Sequence, residues 1–411
     1  MTITFGKNRR GQDIALPHAE LRQHMAVFGS TGSGKTALAI GVGEQVIQKH
    51  IPIILVDIKG DMSNVCLQPK SLKMQQLMDF TIFTPGGRHG TSIHLFNDIQ
   101  KPHKRRASVT QLLKLVGDKH WKNPLQSRSN VFISKLLDTM EKNNEKADIL
   151  SIIQGLQDPP FQTIGALTID DAFPNAARQA LGIKLNNLLA APSFELWQEG
   201  EGLDIDKMLA RRNDGRVNVN IYSVAHLPSE EQDFALAVLF DALESWMHKQ
   251  PGTNDLRALV VVDECVDILP PYPKNPVTKL PLLHMLKQGR AYGLGLVLAT
   301  QNPMDIDYKA LSNCQTWAVG RLQMANDRRR VLEAMASNTA HDRSSLAAAL
   351  SGLLARQFLM CRPKSTATFR SQDVLADLIG PMTPREIEAV IRNRKNFDIT
   401  AYMNELAGIA Q

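Results

Sequence analysis

Cysteine is scarce in this 411-residue chain, being confined to Cys66, Cys265, Cys314 and Cys361. None stands in a C-x-x-C pair or has a histidine at zinc-finger spacing. The composition therefore excludes a disulfide framework or a structural zinc site, and the four read as small apolar core residues in a reducing compartment. Aromatic residues are only 6%, so aliphatic side chains must dominate packing. No stretch approaches the roughly 20 apolar residues of a membrane span, and residues 1–11 contain no apolar signal core. This reads as a soluble, cytoplasmic protein without membrane contact. Charge of either sign is not in large excess: 47 Lys and Arg face 41 Asp and Glu, for a net +6. That balance suits a nucleic-acid partner and suits a slightly basic enzyme equally well. Internal repeats and low-complexity linkers are also absent. What is present, 43% hydrophobic and 21% charged residues, describes a globular protein with a real core, long enough for one elaborated domain or two ordinary ones.

The pattern of apolar runs changes twice along the chain. Met25 to Ser30 reads as a short buried strand, followed by a glycine-rich turn, a helix from about Lys35 to Lys49, and a second strand from Ile53 to Asp57. Strand, loop, helix, strand is the opening unit of a parallel α/β sheet. From about Lys101 to Arg216 helical stretches take over, such as Ser127 to Lys142 and Ala176 to Leu189, broken by Pro159, Pro160, Pro174 and Pro192. This stretch contains no convincing set of paired carboxylates with a lysine that would mark a nuclease. Sheet-like runs resume at Val217 to Tyr222 and recur at Ala258 to Val262, Gly295 to Thr300, Trp317 to Gly320, Gln357 to Cys361 and Ala367 to Phe369. Ser229 to Gln232 has the form of a capping box. Behind it Phe234, Ala235, Val238, Leu239, Ala242, Leu243, Trp246 and Met247 form one apolar stripe at helical spacing, which is core packing and not a cofactor site.

Three motifs carry chemistry. Gly29-Ser30-Thr31-Gly32-Ser33-Gly34-Lys35-Thr36 matches G-x-x-x-x-G-K-[ST] in full. Its glycines let backbone N–H groups converge on phosphate oxygens, and the helix behind it points its positive end at the same anion. Lys35 is expected to reach the β- and γ-phosphates and Thr36 to bind Mg²⁺. Leu259 to Glu264 is an apolar strand ending in two carboxylates. Asp263 is expected to hold Mg²⁺ through water, and Glu264 to orient and polarise the attacking water. Leu296 to Pro303 is a strand ending in the polar pair Thr300 and Gln301. Gln301 is read as a γ-phosphate or water sensor, with capping of the next helix as the alternative.

Arg321 and Arg290 are the two candidates for an arginine finger across a subunit boundary, each with the alternative of a surface or ion-paired arginine. Arg328, Arg329 and Arg330 lie on a helical pattern and read as a solvated face. Asp57 and Lys59, in Asp57-Ile-Lys59-Gly60-Asp61, are weaker candidates for metal or nucleotide contact, and the acids could equally cap a helix. The basic run Lys101 to Arg106 could line a nucleic-acid channel, although a solvated loop is the commoner outcome. Leu350-Ser351-Gly352 lies after the second carboxylate motif, so it is not a transporter-type signature. No N-K-x-D guanine reader occurs, which favours ATP over GTP.

With these motifs in place, the chain resembles the HerA/FtsK superfamily of P-loop ATPases, on the HerA-like side. The resemblance rests on the phosphate loop from Gly29, Val56 to Asp61, Val262-Asp263-Glu264, Lys287 to Leu294, Leu298 to Pro303, and Leu311 to Asn313 leading to Gly320-Arg321-Leu322, and extends weakly through Phe369 to Pro384. It implies an α/β, RecA-like core with a mostly parallel sheet in residues 25–100 and 216–380. Residues 1–24 would form a strand or hairpin extension, 101–215 a helical insertion and 381–411 a helical tail. It further implies ATP and Mg²⁺ as cofactors and a homo-oligomeric, hexameric ring with DNA in its pore. A separate effector such as a nuclease is implied as partner. Carried over by motif, Glu264 is the catalytic carboxylate, Gln301 the sensor and Arg321 the first choice of finger. HerA proteins usually begin with a small β-barrel, whereas here Thr2 to Phe5 and Ile14 to Leu16 offer only a small hairpin before the phosphate loop. Two functions follow as expectations: a DNA translocase or helicase motor, and an ATP-gated scaffold that switches an effector, for example in anti-phage defence.

Overall fold

The computed structural model describes residues 1–67, 71–87, 91–92, 96, 99–100, 102–118, 125–191, 194, 196–197, 201–301, 303–338 and 343–392. Its strands in chain order are β1 (Thr2–Lys7), β2 (Asp13–Pro17), β3 (Met25–Phe28), β4 (Ile53–Asp57), β5 (Met78–Phe83), β6 (Thr91–Ser92), β7 (Thr163–Ile164), β8 (Leu167–Thr168), β9 (Glu201–Gly202), β10 (Val217–Ser223), β11 (Ala258–Asp263), β12 (Leu294–Thr300), β13 (Thr316–Val319), β14 (Gln357–Arg362) and β15 (Ser365–Ser371). Eleven of them make one sheet in the order β2-β1-β15-β14-β13-β3-β12-β11-β4-β10-β5.

Two kinds of strand build this sheet. From β13 to β5 all neighbours are parallel. Every residue of β3, β4, β11 and β12 is buried, as continuous apolar runs require when both faces are covered. On the other edge β14, β15, β1 and β2 pair antiparallel. There β1 and β2 mix buried and exposed positions, the mark of a sheet with one wet face. The expected N-terminal hairpin is present, but it is not free-standing: Gly6 and Lys7 pair with Ser371 and Arg370 of β15, so the hairpin extends the main sheet.

By its internal contacts the chain divides into two compact units. The first comprises Met1–Phe83, Asp204–His226 and Ala242–Gln411 and contains the sheet. The helix Lys35–Ile47 runs through its core and buries Leu38, Ile40, Val42, Val46 and Ile47 against Ile53, Leu55, Val261 and Val297. The second comprises Thr84–Leu203 and Leu227–Asp241. It has its own core, in which Val109, Leu112 and Leu113 of the helix Pro102–Leu115 and Phe132, Ile133, Leu136 and Leu137 of Arg128–Lys142 are fully buried. The Phe132 ring lies 5.4 Å from those of both Phe161 and Phe173, tilted against each.

Two local expectations need revision in this unit. Among the described residues, the basic run near 101–106 is the start of the helix Pro102–Leu115, not a loop. Arg105 is buried, donating to the Ile99 carbonyl and pairing with Asp138 and Glu141, so it is committed to packing. Lys101 and the side chains of His103 and Lys104 lie outside the described residues. The helix Ser229–Lys249 begins where the capping box expects. However, the Gln232 amide donates to the Leu227 carbonyl, beyond the N–H it was expected to reach.

Candidate active site

The register of the parallel strands decides the site. β3, β12, β11 and β4 are neighbours, Thr300 stands opposite Phe28, and Asp263 stands opposite Ala299. The phosphate loop lies more than 220 residues in the chain from the acid pair and from the sensor pair, yet all three leave the sheet at the same carboxyl edge, where ligands gather on open α/β sheets.

The loop itself is tightly shaped. Gly34 caps the helix Lys35–Ile47 in the left-handed region at φ 91°, where a Cβ is strained. A Cβ on Gly29 would lie 2.3 Å from the Ser33 hydroxyl. The Ser30 amide and hydroxyl both donate to the Arg321 carbonyl, at 3.0 and 2.9 Å, and the Ser33 amide closes back on the Ser30 carbonyl. From the other side the Arg356 amide donates to the Ser33 carbonyl at 2.8 Å.

Lys35 Nζ lies 2.9 Å from Asp263 Oδ1, and Thr36 Oγ1 donates to Asp263 Oδ2 at 2.8 Å, all three being largely buried. A carboxylate and a hydroxyl at hydrogen-bond distance in a phosphate cradle are hard oxygen donors, which suits Mg²⁺. Among the described residues no group of three His, Cys, Asp or Glu could cage a metal by itself.

Glu264 follows β11 with φ 65°, a left-handed conformation uncommon outside glycine. Lys59 Nζ is 2.6 Å from its Oε2, Gln301 Nε2 donates to the same oxygen at 3.0 Å, and Thr300 Oγ1 stands 3.5 Å from Oε1. Gln301 Oε1 in turn accepts from Thr31 Oγ1 of the phosphate loop at 3.1 Å. Gln301 therefore bridges the loop and Glu264. Burial pushes the Glu264 carboxyl up, but the Lys59 hydrogen bond, the charges of Lys35 and Lys59 and the Gln301 amide outweigh it, leaving the group below the usual carboxylate range.

The Asp57–Asp61 motif splits its acids between two tasks. Asp57 is buried and accepts from the amides of Gly60, Met62 and Ser63 and from the Ser63 hydroxyl. These bonds close the loop that follows β4. Asp61 is half-buried and faces the site: burial and then the charge of Asp263 push its carboxyl up, against Lys59 and Lys35. Asp61 was only part of a motif in the sequence. Arg356 was missed altogether, because its φ of 63° and its approach to Gly34 leave no trace in residue type.

The two candidate arginines lie at opposite edges. Arg321 is exposed and tied to its own phosphate loop through its carbonyl. Arg290 is exposed near the end of the helix Lys279–Tyr292, just before β12 begins. At about 3.3 Å per residue β12 is about 20 Å long, with Arg290 before its amino end and Gln301 just past its carboxyl end. It lines a cavity of about 890 Å³ with Arg22, Lys287, Asn254, Thr253 and Tyr292. The residues near Arg328 form the helix Ala325–Asn338, with Arg329 and Arg330 exposed.

A family model described as "Helicase HerA, central domain" matches residues 3–243. The type 4 coupling protein DotL of Legionella pneumophila is 24% identical over 254 residues, 61% of this chain and 27% of that protein. The DNA import protein CedB of Sulfolobus acidocaldarius is 23% identical over 294 residues, 70% of this chain and 41% of that protein. The chain thus spans well under half the length of either. Among solved structures, VirB4 of Thermoanaerobacter pseudethanolicus superposes with a TM-score of 0.62 at 12% identity, covering 90% of this chain and 96% of that one. The plasmid coupling protein TrwB in complex with ADP and Mg²⁺ superposes with a TM-score of 0.58 at 16% identity, covering 89% and 88%. These structures share the RecA-like P-loop fold.

Proposed function

The chain belongs to the family of the helicase HerA central domain, a family of P-loop ATPases, and from that premise we propose that it hydrolyses ATP in a homo-oligomeric ring to drive movement of DNA. The observation that carries this reading is the convergence of Lys35, Thr36, Asp263, Glu264 and Gln301 at one edge of four adjacent strands. Similarity to a type 4 coupling protein and a DNA import protein supports the choice of DNA as the moved substrate.

In this mechanism the amides from Gly29 to Gly34 cradle the phosphates and Lys35 neutralises the β and γ oxygens. Thr36 and Asp263 are the residues that would hold Mg²⁺, which when bound supplies charge neutralisation across the phosphates. Glu264 accepts a proton from the attacking water as its oxygen bonds to the γ-phosphorus, and ADP leaves with the electron pair of the broken P–O bond. Gln301 orients the water. The finger comes from a neighbouring copy. Arg290, exposed and before the end of β12 opposite to its own Gln301, suits delivery to a neighbour, whereas Arg321 suits a contact within its own site.

Turnover is measured with and without duplex DNA for the wild type and Glu264→Gln. Duplex DNA should raise the wild-type rate and lose its effect as salt rises. Glu264→Gln should bind ATP and turn over about 10²–10⁴-fold more slowly. A wild-type rate indifferent to DNA at every salt concentration would overturn the coupling to DNA, and undiminished turnover of the variant would overturn the role of Glu264. A second reading, the ATP-gated scaffold for a nuclease or other effector, draws support from the second compact unit, which has its own core and none of the nucleotide residues. Displacement of a protein roadblock from DNA by this protein alone would exclude it.

A further inference from the structure

We propose that Lys59 is a positioning residue for hydrolysis, gripping one carboxylate oxygen of Glu264 together with Gln301 so that the other oxygen is aimed at the attacking water. The proposal rests on the hydrolytic role of Glu264 given above. Neither the loop motif nor the family match assigns this task to the lysine.

Three observations converge on it. The two strong donors, Lys59 Nζ at 2.6 Å and Gln301 Nε2 at 3.0 Å, share Oε2. Among the described residues Oε1 has only the Thr300 hydroxyl at 3.5 Å, which leaves its lone pairs for water. A carboxylate held at one oxygen by two donors from different strands cannot swing about its last torsion. Such orientation is what a base needs to meet a water within hydrogen-bond reach.

The second observation is the backbone under Glu264. At φ 65° it is held off the ordinary extended path, a strain that persists only where surroundings enforce it. The Cys265 amide donates to the Ala299 carbonyl at 3.1 Å and fixes the chain just beyond. The side chain is thereby turned towards β4 and β12, the strands that deliver Lys59 and Gln301.

Third, the loop that carries Lys59 is rigid. Asp57 gathers three amides and a hydroxyl from Gly60, Met62 and Ser63. The Gly60 carbonyl accepts from the Met382 amide. The ammonium is therefore presented at a fixed point. It is also partly exposed, at 41%, so it is not needed to fill the core.

The competing role for Lys59 is a direct phosphate contact, and the kinetics separate the two. Lys59→Met should lower kcat about tenfold or more. KM for ATP and the affinity for a non-hydrolysable ATP analogue should stay within about twofold. Lys59→Arg should recover most of the rate. In the Glu264→Gln background the same change should cost nothing further, since its target is gone. An unchanged kcat overturns the proposal, as does affinity falling in step with rate, or a further loss in the double variant. If Lys59→Met does not fold, as judged by its melting curve, Lys59→Gln is measured in its place against the same outcomes. Glu264→Gln alone tests the underlying reading: full turnover there sinks both, whereas its collapse beside an unaffected Lys59→Met sinks only the lysine.

Discussion

The two ends of the parallel strands use their polar side chains for different purposes. At the carboxyl end these groups bond to one another: Lys35 and Thr36 to Asp263, Lys59 and Gln301 to Glu264, Thr31 to Gln301. At the amino end several bond to main chain, although Arg22 also reaches the Asn254 side chain and His18 pairs with Asp255. His24 Nδ1 accepts from the Leu296 amide, Arg22 donates to the Arg290 carbonyl, and Arg257 donates to the carbonyls of Tyr292 and Pro251. One edge is a preassembled cluster whose partners a ligand can exchange. The other is a seam that closes the sheet. A substitution at the first should therefore cost chemistry, and one at the second should cost stability.

Lys35→Ala should break the contrast most severely, with ATPase turnover falling at least about a thousandfold and nucleotide affinity dropping, because Lys35 is the buried cation of the phosphate loop. A titration showing intact affinity would remove the basis of the site.

Arg290 tests the contrast from the opposite side, since it sits at the seam end yet is assigned to chemistry. Arg290→Ala should slow turnover by about 10³-fold or more with a melting temperature near that of wild type. Arg321→Ala should cost less turnover. Mixing Arg290→Ala with Glu264→Gln subunits should restore part of the activity, because mixed boundaries would contain one intact base and one intact finger. No recovery at any mixing ratio would argue against action in trans.

At the seam, His24 should make the fold acid-sensitive without touching KM. Burial holds its imidazole down, from 6.5 to about 4. An unfolded chain takes up a proton near pH 6.5, whereas the folded chain does so only near 4. The stability contribution is thus full above pH 6.5 and lost as pH falls towards 4, by about 3 kcal/mol. His24→Asn should flatten this slope in denaturant melts. An equal slope in both proteins would mean that another group is responsible.

The smallest effect is expected for Arg257→Ala. Losing two hydrogen bonds to carbonyls should cost about 1–2 kcal/mol in denaturant midpoint, with kcat and KM unchanged. A change in kcat would show that the two edges are not separable.

Much of this protein was legible in its residues because its key elements are local. A glycine-rich turn between a buried strand and a helix, and an apolar run ending in Asp263-Glu264, declare their geometry within a few residues. The continuous apolar runs of β3, β4, β11 and β12 likewise specify a parallel sheet covered on both faces. The four cysteines read as core, and all four are buried.

Tertiary structure alone decided the rest, and in each case contacts distant in sequence did so. Asp57 and Asp61 are the same residue type four positions apart, but only folding turns one into a loop cap and the other towards Asp263. Lys59 gained Glu264 across 205 positions, and Ser33 gained the Arg356 amide through a backbone conformation that residue type does not encode. The edge hairpin found its place only through β15. Residue type and spacing report the preferences of a short segment, whereas strand order and register determine which segments meet, and that pairing assigned each charge its partner.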